Sequence, residues 1–262
     1  MTHPYLTGTS RPRVFAHRGL VSPRDEALGI VENTRASVSA AVLAGSVYVE
    51  SDCHLTSDGV VVLFHDSDLG RVTGDQRAVA AVSYAELADL MAERGGLLSL
   101  REALEDFTET RFNIDVKAAA VAEPAGTIIG EHCDRVLLTS FSDEHRARAL
   151  AAARRVAGGL AGADSPATSP GRGALIRLLL AVHFGPQAAR ARAFDGLDAL
   201  QIPERQGPVR VLSPRLIEAA HHAGVEVHVW TVNDPARMKE LVALGVDGII
   251  TDRADLALET LS

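Results

Sequence analysis

Eight short β-rich runs, separated for the most part by stretches with readable helix ends, constrain this chain more than any other feature. The runs lie at 14–17, 47–52, 112–117, 136–140, 156–160, 199–202, 225–232 and 248–251. Between them, Ser99 and Glu102 have capping-box spacing, and Ser213-Pro214 and Asp234-Pro235 read as N-caps followed by N1 prolines. Gly224 and Gly245 stand where C′ glycines belong. Strands that alternate with helices predict a parallel α/β fold, either a closed barrel or an open doubly wound sheet. One connection breaks the alternation. After Asp52, the triplet Ser57-Asp58-Gly59 is far too short for a parallel crossover, so residues 60–65 are expected to return antiparallel as a hairpin. That return opens an inserted subdomain over 53–96. The Gly-, Pro- and Ser-rich segment 162–173 reads as a long surface loop.

Composition narrows the class of partner. The 262 residues carry 26 basic and 34 acidic side chains, a formal charge of −8. Overall repulsion of polyanions argues against nucleic-acid or anionic-membrane binding. A small phosphorylated substrate would need local positive charge. Apolar residues at 47% with 23% charged give enough material for a sizeable core. Cys53 and Cys133 are too few for a disulfide framework, so a reducing compartment is expected. The N-terminal residues have no apolar signal-like stretch, and the longest apolar run is broken by Arg177 and His183, so no integral membrane segment is expected. The expected location is cytoplasmic.

Chemistry concentrates at the ends of the predicted strands. Glu50 and Asp52 are two apart on one strand and share a face, as do Asp115 and Lys117 on another. In a barrel the C-terminal strand ends form the active-site face. Buried carboxylates there call for pairing or a hard cation with oxygen ligands; an internal Asp115–Lys117 ion pair with Glu50 and Asp52 at a wet rim is the plainer alternative. His17 ends the first strand and His65 ends the hairpin strand, two groups suited to proton transfer near neutrality. Arg18 brings a planar fork that matches phosphate oxygens, and Gly19 allows close backbone approach. Asn33 or Thr34 serves as an N-cap, or aims a side chain into the site. Trp230, the only Trp, is either core or a wall for an apolar part of a substrate. His54 is taken to alternate away from Asp52 and is left outside the site.

These motifs, in order, resemble the glycerophosphodiester phosphodiesterase family. They are HRG (17–19), ENT (32–34), Glu50-x-Asp52, Asp58-Gly59 with His65-Asp66, Asp115-x-Lys117, Ser140-Phe141, WTVN (230–233) and DGIITD (247–252). The resemblance covers 14–252, nearly the whole chain. It implies a (β/α)8 TIM barrel, a single catalytic domain over 1–262, with the 53–96 insertion after the second strand. It implies metal-dependent hydrolysis of glycerophosphodiesters to glycerol 3-phosphate and an alcohol. Glu50, Asp52 and Asp115 would hold a divalent cation, Mg2+ or Ca2+, with Glu32 nearby. His17 and His65 would be the acid–base pair, and Arg18 and Lys117 would bind phosphate; to these the reading of the residues themselves adds Asn33 and Trp230 as substrate-site candidates.

Three positions depart from the family pattern: Val31 where Pro usually precedes ENT, Asp115 where Glu is usual, and Arg253-Ala254 where Pro often follows DGIITD. None removes a catalytic group, but the shorter Asp115 leaves the cation open. A lysophospholipase D or other phospholipase-type activity on the same scaffold is the close alternative. A non-catalytic phosphodiester binder is the distant one. Of the 26 basic residues only Lys117 and Lys239 are lysines. Lys117, two residues beyond Asp115, therefore reads as a position that wants a compact point charge.

Overall fold

The computed structural model describes residues 2–158 and 164–262. Eight parallel strands make a nearly closed barrel: Arg13–His17, Tyr48–Leu55, Arg111–Val116, Val136–Thr139, Ala167–Thr168, Ala199–Pro203, Glu226–Trp230 and Gly248–Thr251. Each pairs with its neighbours in chain order except the fifth with the sixth, and the last pairs with the first. The seam lies between the fifth and sixth strands. There the Asp198 N–H donates to the Thr168 carbonyl at 3.0 Å, the Thr168 N–H to the Asp198 carboxylate at 2.9 Å, and the Gln201 N–H to Ser169 Oγ at 3.0 Å. Side chains thus bridge the seam where ladder bonds stop.

Register positions the polar residues. His17 lies beside Glu50 and Glu50 beside Asn113, while Asp52 lies beside Asp115. Adjacent residues in parallel strands point to one face, so two rows of polar side chains face inward near the C-terminal strand ends. The opposite face of most strands is largely apolar and packs against the surrounding helices in the main core.

The helix starts follow the sequence. Ser99 and Glu102 form a reciprocal capping box, and Ser213 and Asp234 cap helices that begin at Pro214 and Pro235. Gly224 and Gly245 take left-handed φ just past the helix ends. One predicted strand is corrected. Residues 156–157 belong to the helix Asp143–Ala157, and residues 159–160 lie outside the described residues. The Arg- and Ala-rich run from Ser142 gives the helix no reason to stop before Gly158. The true fifth strand, Ala167–Thr168, falls within the segment expected to be a loop, of which 162–163 lie outside the described residues. The same segment also begins the helix Arg172–Phe184.

After the second strand the chain turns at Ser57-Asp58-Gly59 and returns as Val61–Leu63, antiparallel to 53–55. The excursion that follows has its own apolar cluster, built around Phe64, Leu69, Val79, Val82, Leu87 and Met91. Among the described residues no helix is long and apolar enough to cross a membrane. Both cysteines are free and buried.

The N-terminal end of the barrel is held by charge as well as by apolar packing. Arg13 grips Glu226 with two bonds, at 2.7 and 2.8 Å, and His228 donates to the same carboxylate at 3.1 Å. Burial alone would raise the Glu226 carboxyl, but the bonds from Arg13 and His228 overcome it and hold it at about 2. Its folded value lies below the unfolded one, near 4.3. The stabilisation is therefore complete above about pH 4.3 and is lost as pH falls towards 2. Acid titration of urea midpoints should show wild type losing on the order of 3 kcal/mol across that window through this group. Glu226→Gln should be destabilised at neutral pH and lack that part of the slope. Parallel curves for the two proteins would contradict the assignment.

Candidate active site

The first strand delivers His17 and Arg18 through a turn that only a narrow set of residues can make. Arg18 and Asn33 both hold left-handed φ, 60° and 57°. Their backbones are locked together: the Arg18 N–H donates to the Glu50 carbonyl at 2.7 Å, and the Asn33 N–H to the Arg18 carbonyl at 2.9 Å. Gly19 follows with φ +86°, and a Cβ there would sit 2.6 Å from the Ser37 backbone. The turn therefore needs glycine at 19 both for conformation and for space.

The carboxylates and their cations form one buried group. Lys117, just past the third strand, places Nζ 2.8 Å from Asp52 Oδ1 and 2.7 Å from Asp115 Oδ2. Arg18 Nε lies 3.2 Å from Asp52 Oδ2 without an aligned hydrogen bond. Asn33 Nδ2 donates to Asp52 at 3.2 Å and its Oδ1 accepts from Ser51 at 2.6 Å. Thr34, not Asn33, is the helix N-cap, so the Asn33 side chain is free to orient Asp52.

Charge is unevenly resolved within this group. Burial opposes ionisation of Asp52, but Lys117 and Arg18 together outweigh it and keep its pKa below the usual value. Asp115 shares Lys117 but lacks Arg18, and burial with repulsion from Asp52 leaves it raised. Glu50 has no such partner. Burial and the neighbouring Asp52 push it up to about 8. Glu50 Oε2 and Asp115 Oδ1 are buried and accept no hydrogen bond.

Both histidines are oriented in the same way. His17 Nδ1 lies 2.6 Å from Asp252 Oδ1, and His65 Nδ1 lies 2.6 Å from Asp66 Oδ1. A carboxylate only accepts, so each Nδ1 carries a proton and each Nε2 is left for exchange. His17 Nε2 stands 3.7 Å from Glu50 Oε2. Burial lowers the His17 pKa, but the bond to Asp252 and the Glu50 charge more than restore it, and the net shift is upward. Asp252 is itself held by Asn233, whose Nδ2 donates to it at 2.7 Å. Asp66 is held by Arg71 at 2.6 Å.

The sequence-selected residues converge with two displacements, since neither Glu32 nor Asn33 lines the cavity and buried Asn33 bonds to Asp52 instead. His17, His65, Glu50, Asp52, Asp115, Arg18, Lys117 and Trp230 all line one cavity of about 570 Å3. Glu32 does not reach the carboxylate group; its Oε1 accepts from both Arg18 and Arg71 at 2.7 Å. Trp230 forms a wall, edge-on to Phe141 with ring centroids 5.9 Å apart. His54 does not line the cavity and stays outside the site, but for another reason than alternation: residues two apart share a strand face, and its Nε2 lies 3.1 Å from the His65 carbonyl, supporting that segment. Asp252, Asn233 and Asp66 stood in the quoted motifs without a role. The pairing of Asp252 with His17 depends on which strand ends meet, whereas Asp66 is the chain neighbour of His65.

Asp252→Asn is expected to lower kcat about 10–100-fold with little change in KM, because an amide no longer fixes the His17 tautomer. An unchanged kcat would show that the Asp252 contact does not position His17.

Residues 17–256 match the glycerophosphoryl diester phosphodiesterase family. A probable glycerophosphodiester phosphodiesterase of Mycobacterium tuberculosis is 37% identical over 252 residues, 94% of this chain and 89% of that protein. A lysophospholipase D of Rattus norvegicus is 34% identical over 131 residues, 45% of this chain and 41% of that protein. The fold superimposes on an Oleispira antarctica phosphodiesterase solved with its product sn-glycerol-3-phosphate, with a TM-score of 0.70 and 22% identity over 96% of this chain and 97% of that one. The match reaches from His17 to beyond Asp252 and so takes in both histidines, the carboxylate group and Lys117; the chain belongs to the glycerophosphoryl diester phosphodiesterase family, and it is a phosphoric diester hydrolase.

Proposed function

We propose that this chain hydrolyses glycerophosphodiesters to glycerol 3-phosphate and an alcohol, with His17 and His65 as the acid–base pair and a divalent cation held by Glu50, Asp52 and Asp115. The observation that carries this reading is the pair of histidines, each tied through Nδ1 to a carboxylate and each lining the cavity that holds the carboxylate group.

The donor set fits a hard cation. Two buried carboxylate oxygens, Glu50 Oε2 and Asp115 Oδ1, have no hydrogen-bond partner, and burial with the Asp52 charge pushes Glu50 up to about 8. Among the described residues no three His, Cys, Asp or Glu side chains stand as a ready cage, because the Lys117 ammonium draws Asp52 and Asp115 to itself. Mg2+ or Ca2+ suits these oxygen donors. When bound, the cation supplies charge neutralisation at the phosphoryl oxygens.

The protein's own groups account for the remaining requirements. Lys117 and Arg18 present positive charge to the phosphoryl group, with Arg18 aimed by Glu32 and Asn33 holding Asp52 beside it. One histidine accepts the proton of the nucleophile through Nε2, and the other donates to the departing alkoxide. The same pair serves water or the substrate's own 2-hydroxyl as nucleophile. Trp230 and Phe141 form an apolar wall beside the phosphate site.

A second reading rests on that wall. Leu175, Ile176, Leu179 and Val209 extend it to the cavity mouth, and they suit the acyl chain of a lysophospholipid better than a small headgroup. The part-length likeness to a lysophospholipase D agrees with this. Rates on glycerophosphocholine and on 1-acyl lysophosphatidylcholine, followed side by side by phosphorus NMR, separate the two readings. Comparable or faster turnover of the deacylated diester supports the first. A strong preference for the acylated substrate supports the second, and no turnover of either overturns both.

A further inference from the structure

We infer that the face carrying the cavity mouth docks onto an anionic lipid surface, with the helix Arg172–Phe184 lying in the interface. The helix is two-sided. Leu178 and Val182 are buried against the barrel, while Ile176, Leu180 and Phe184 form a stripe on the opposite side. Leu180 is 54% exposed and Phe184 84% exposed, unusual for side chains of this size on one contiguous stripe. Phe141 and Val209, also exposed, extend the apolar surface across the cavity mouth, which they line together with Ile176.

Charge complementarity selects the occupant. Residues 165–194 contain four arginines and no Asp or Glu, in a chain whose formal charge is −8. Arg177 lies on the helix, largely exposed and 3.5 Å from Asp143, and Arg190 and Arg192 lie on the next helix, Gln187–Ala193, which packs beside it. Across the mouth, the short ribbon that carries Val209 adds exposed Arg205 and Arg210. An apolar stripe fringed by arginine is the pattern of a helix that lies in the headgroup region, its apolar side sunk towards the acyl chains and its cations against lipid phosphates. A neutral protein partner would give no reason for thirty residues without an acid. Net charge therefore misleads here: repulsion averaged over the whole chain leaves a basic, apolar face at the site mouth.

Docking would place the cavity mouth against the lipid, but vesicle binding reads this face independently of turnover. Sedimentation with vesicles of phosphatidylcholine containing about one-third phosphatidylglycerol should pull down the wild-type protein, and vesicles of phosphatidylcholine alone should pull down about tenfold less. Raising NaCl from about 0.05 M to about 0.5 M should release much of it. Leu180→Ser/Phe184→Ser should bind about tenfold more weakly or worse, and Arg177→Gln/Arg192→Gln should lose the preference for phosphatidylglycerol. Neither pair touches the cavity, so hydrolysis of glycerophosphocholine in solution serves as the control for folding and should be unchanged. Wild type that ignores the anionic vesicles, or an apolar-stripe variant that binds as well as wild type, would overturn the inference. A concentration-dependent dimer in sedimentation velocity that the Leu180→Ser/Phe184→Ser variant abolishes would instead assign the stripe to a second copy of this chain, and would equally overturn it.

Discussion

Replacing either His17 or His65 by Ala should lower kcat on the order of 10³-fold or more, while leaving divalent-cation affinity nearly unchanged. The expectation follows from how the two rings are held. Each Nδ1 is committed to a carboxylate at 2.6 Å, Asp252 for one and Asp66 for the other, so each ring exchanges protons through Nε2 alone. The other titratable groups that line the cavity serve elsewhere: Lys117 is bridged between two carboxylates, and Glu50 is assigned to the cation. No second group stands ready to take over either proton. An acid and a base are both used in the transition state, so kcat and kcat/KM should fall together. Cation titration by calorimetry, run beside the rate measurement, separates loss of proton transfer from loss of the site. Near-wild-type turnover in either variant would remove that histidine from the mechanism.

Exhaustive chelation should abolish turnover, and either Mg2+ or Ca2+ should restore it. The reason lies in Glu50 and Asp115. Burial and repulsion from Asp52 raise both carboxyls, and each leaves an oxygen without a hydrogen bond. An array of this kind is stabilised by a cation, and without one it has no net positive charge to offer a phosphodiester beyond Lys117 and Arg18. Glu50→Gln should weaken cation binding by about 10²-fold or more and lower activity with it, because a neutral amide oxygen replaces a charged ligand. Asp115→Glu restores the usual arm length of the family and should alter the ratio of rates with Mg2+ and Ca2+. Full hydrolysis after thorough chelation would exclude the cation from the chemistry.

The parts of this molecule that could be read from sequence are those governed by short-range periodicity. The two-residue spacings Glu50-x-Asp52 and Asp115-x-Lys117 fix a shared face on any strand, and the helix caps at Ser99, Ser213 and Asp234 are local chemistry. The fifth strand was not legible. Ala167–Thr168 is two residues long, lies between prolines and has no run of β-branched side chains. It is a strand because the barrel needs one there, an effect of tertiary context on a segment with weak preference. His54 lies outside the cavity as expected, but not through alternation, since the rule that paired Glu50 with Asp52 also applies to it.

The carboxylate partner of His17 needed the register between first and last strands, which brings residue 252 beside residue 17, whereas Asp66 is simply the next residue after His65. The Arg13–Glu226 pair at the other end of the barrel likewise joins residues more than 200 positions apart, and no local pattern announces it. The insertion after the second strand was visible as a turn too short for a crossover. What that turn accomplishes was visible only in three dimensions: it carries His65 back to the strand end that holds Asp52, where the Phe64 N–H donates to the Asp52 carbonyl at 2.9 Å.

Identification of both products by NMR tests the central claim most directly. Glycerophosphocholine incubated with the purified protein and Mg2+ or Ca2+ should lose its phosphodiester phosphorus signal, and glycerol 3-phosphate and free choline should appear in equal amounts, with none formed by the His17→Ala/His65→Ala double variant. An unchanged diester signal at saturating cation, cleavage on the other side of phosphorus to phosphocholine and glycerol, or equal turnover by the double variant would contradict the account.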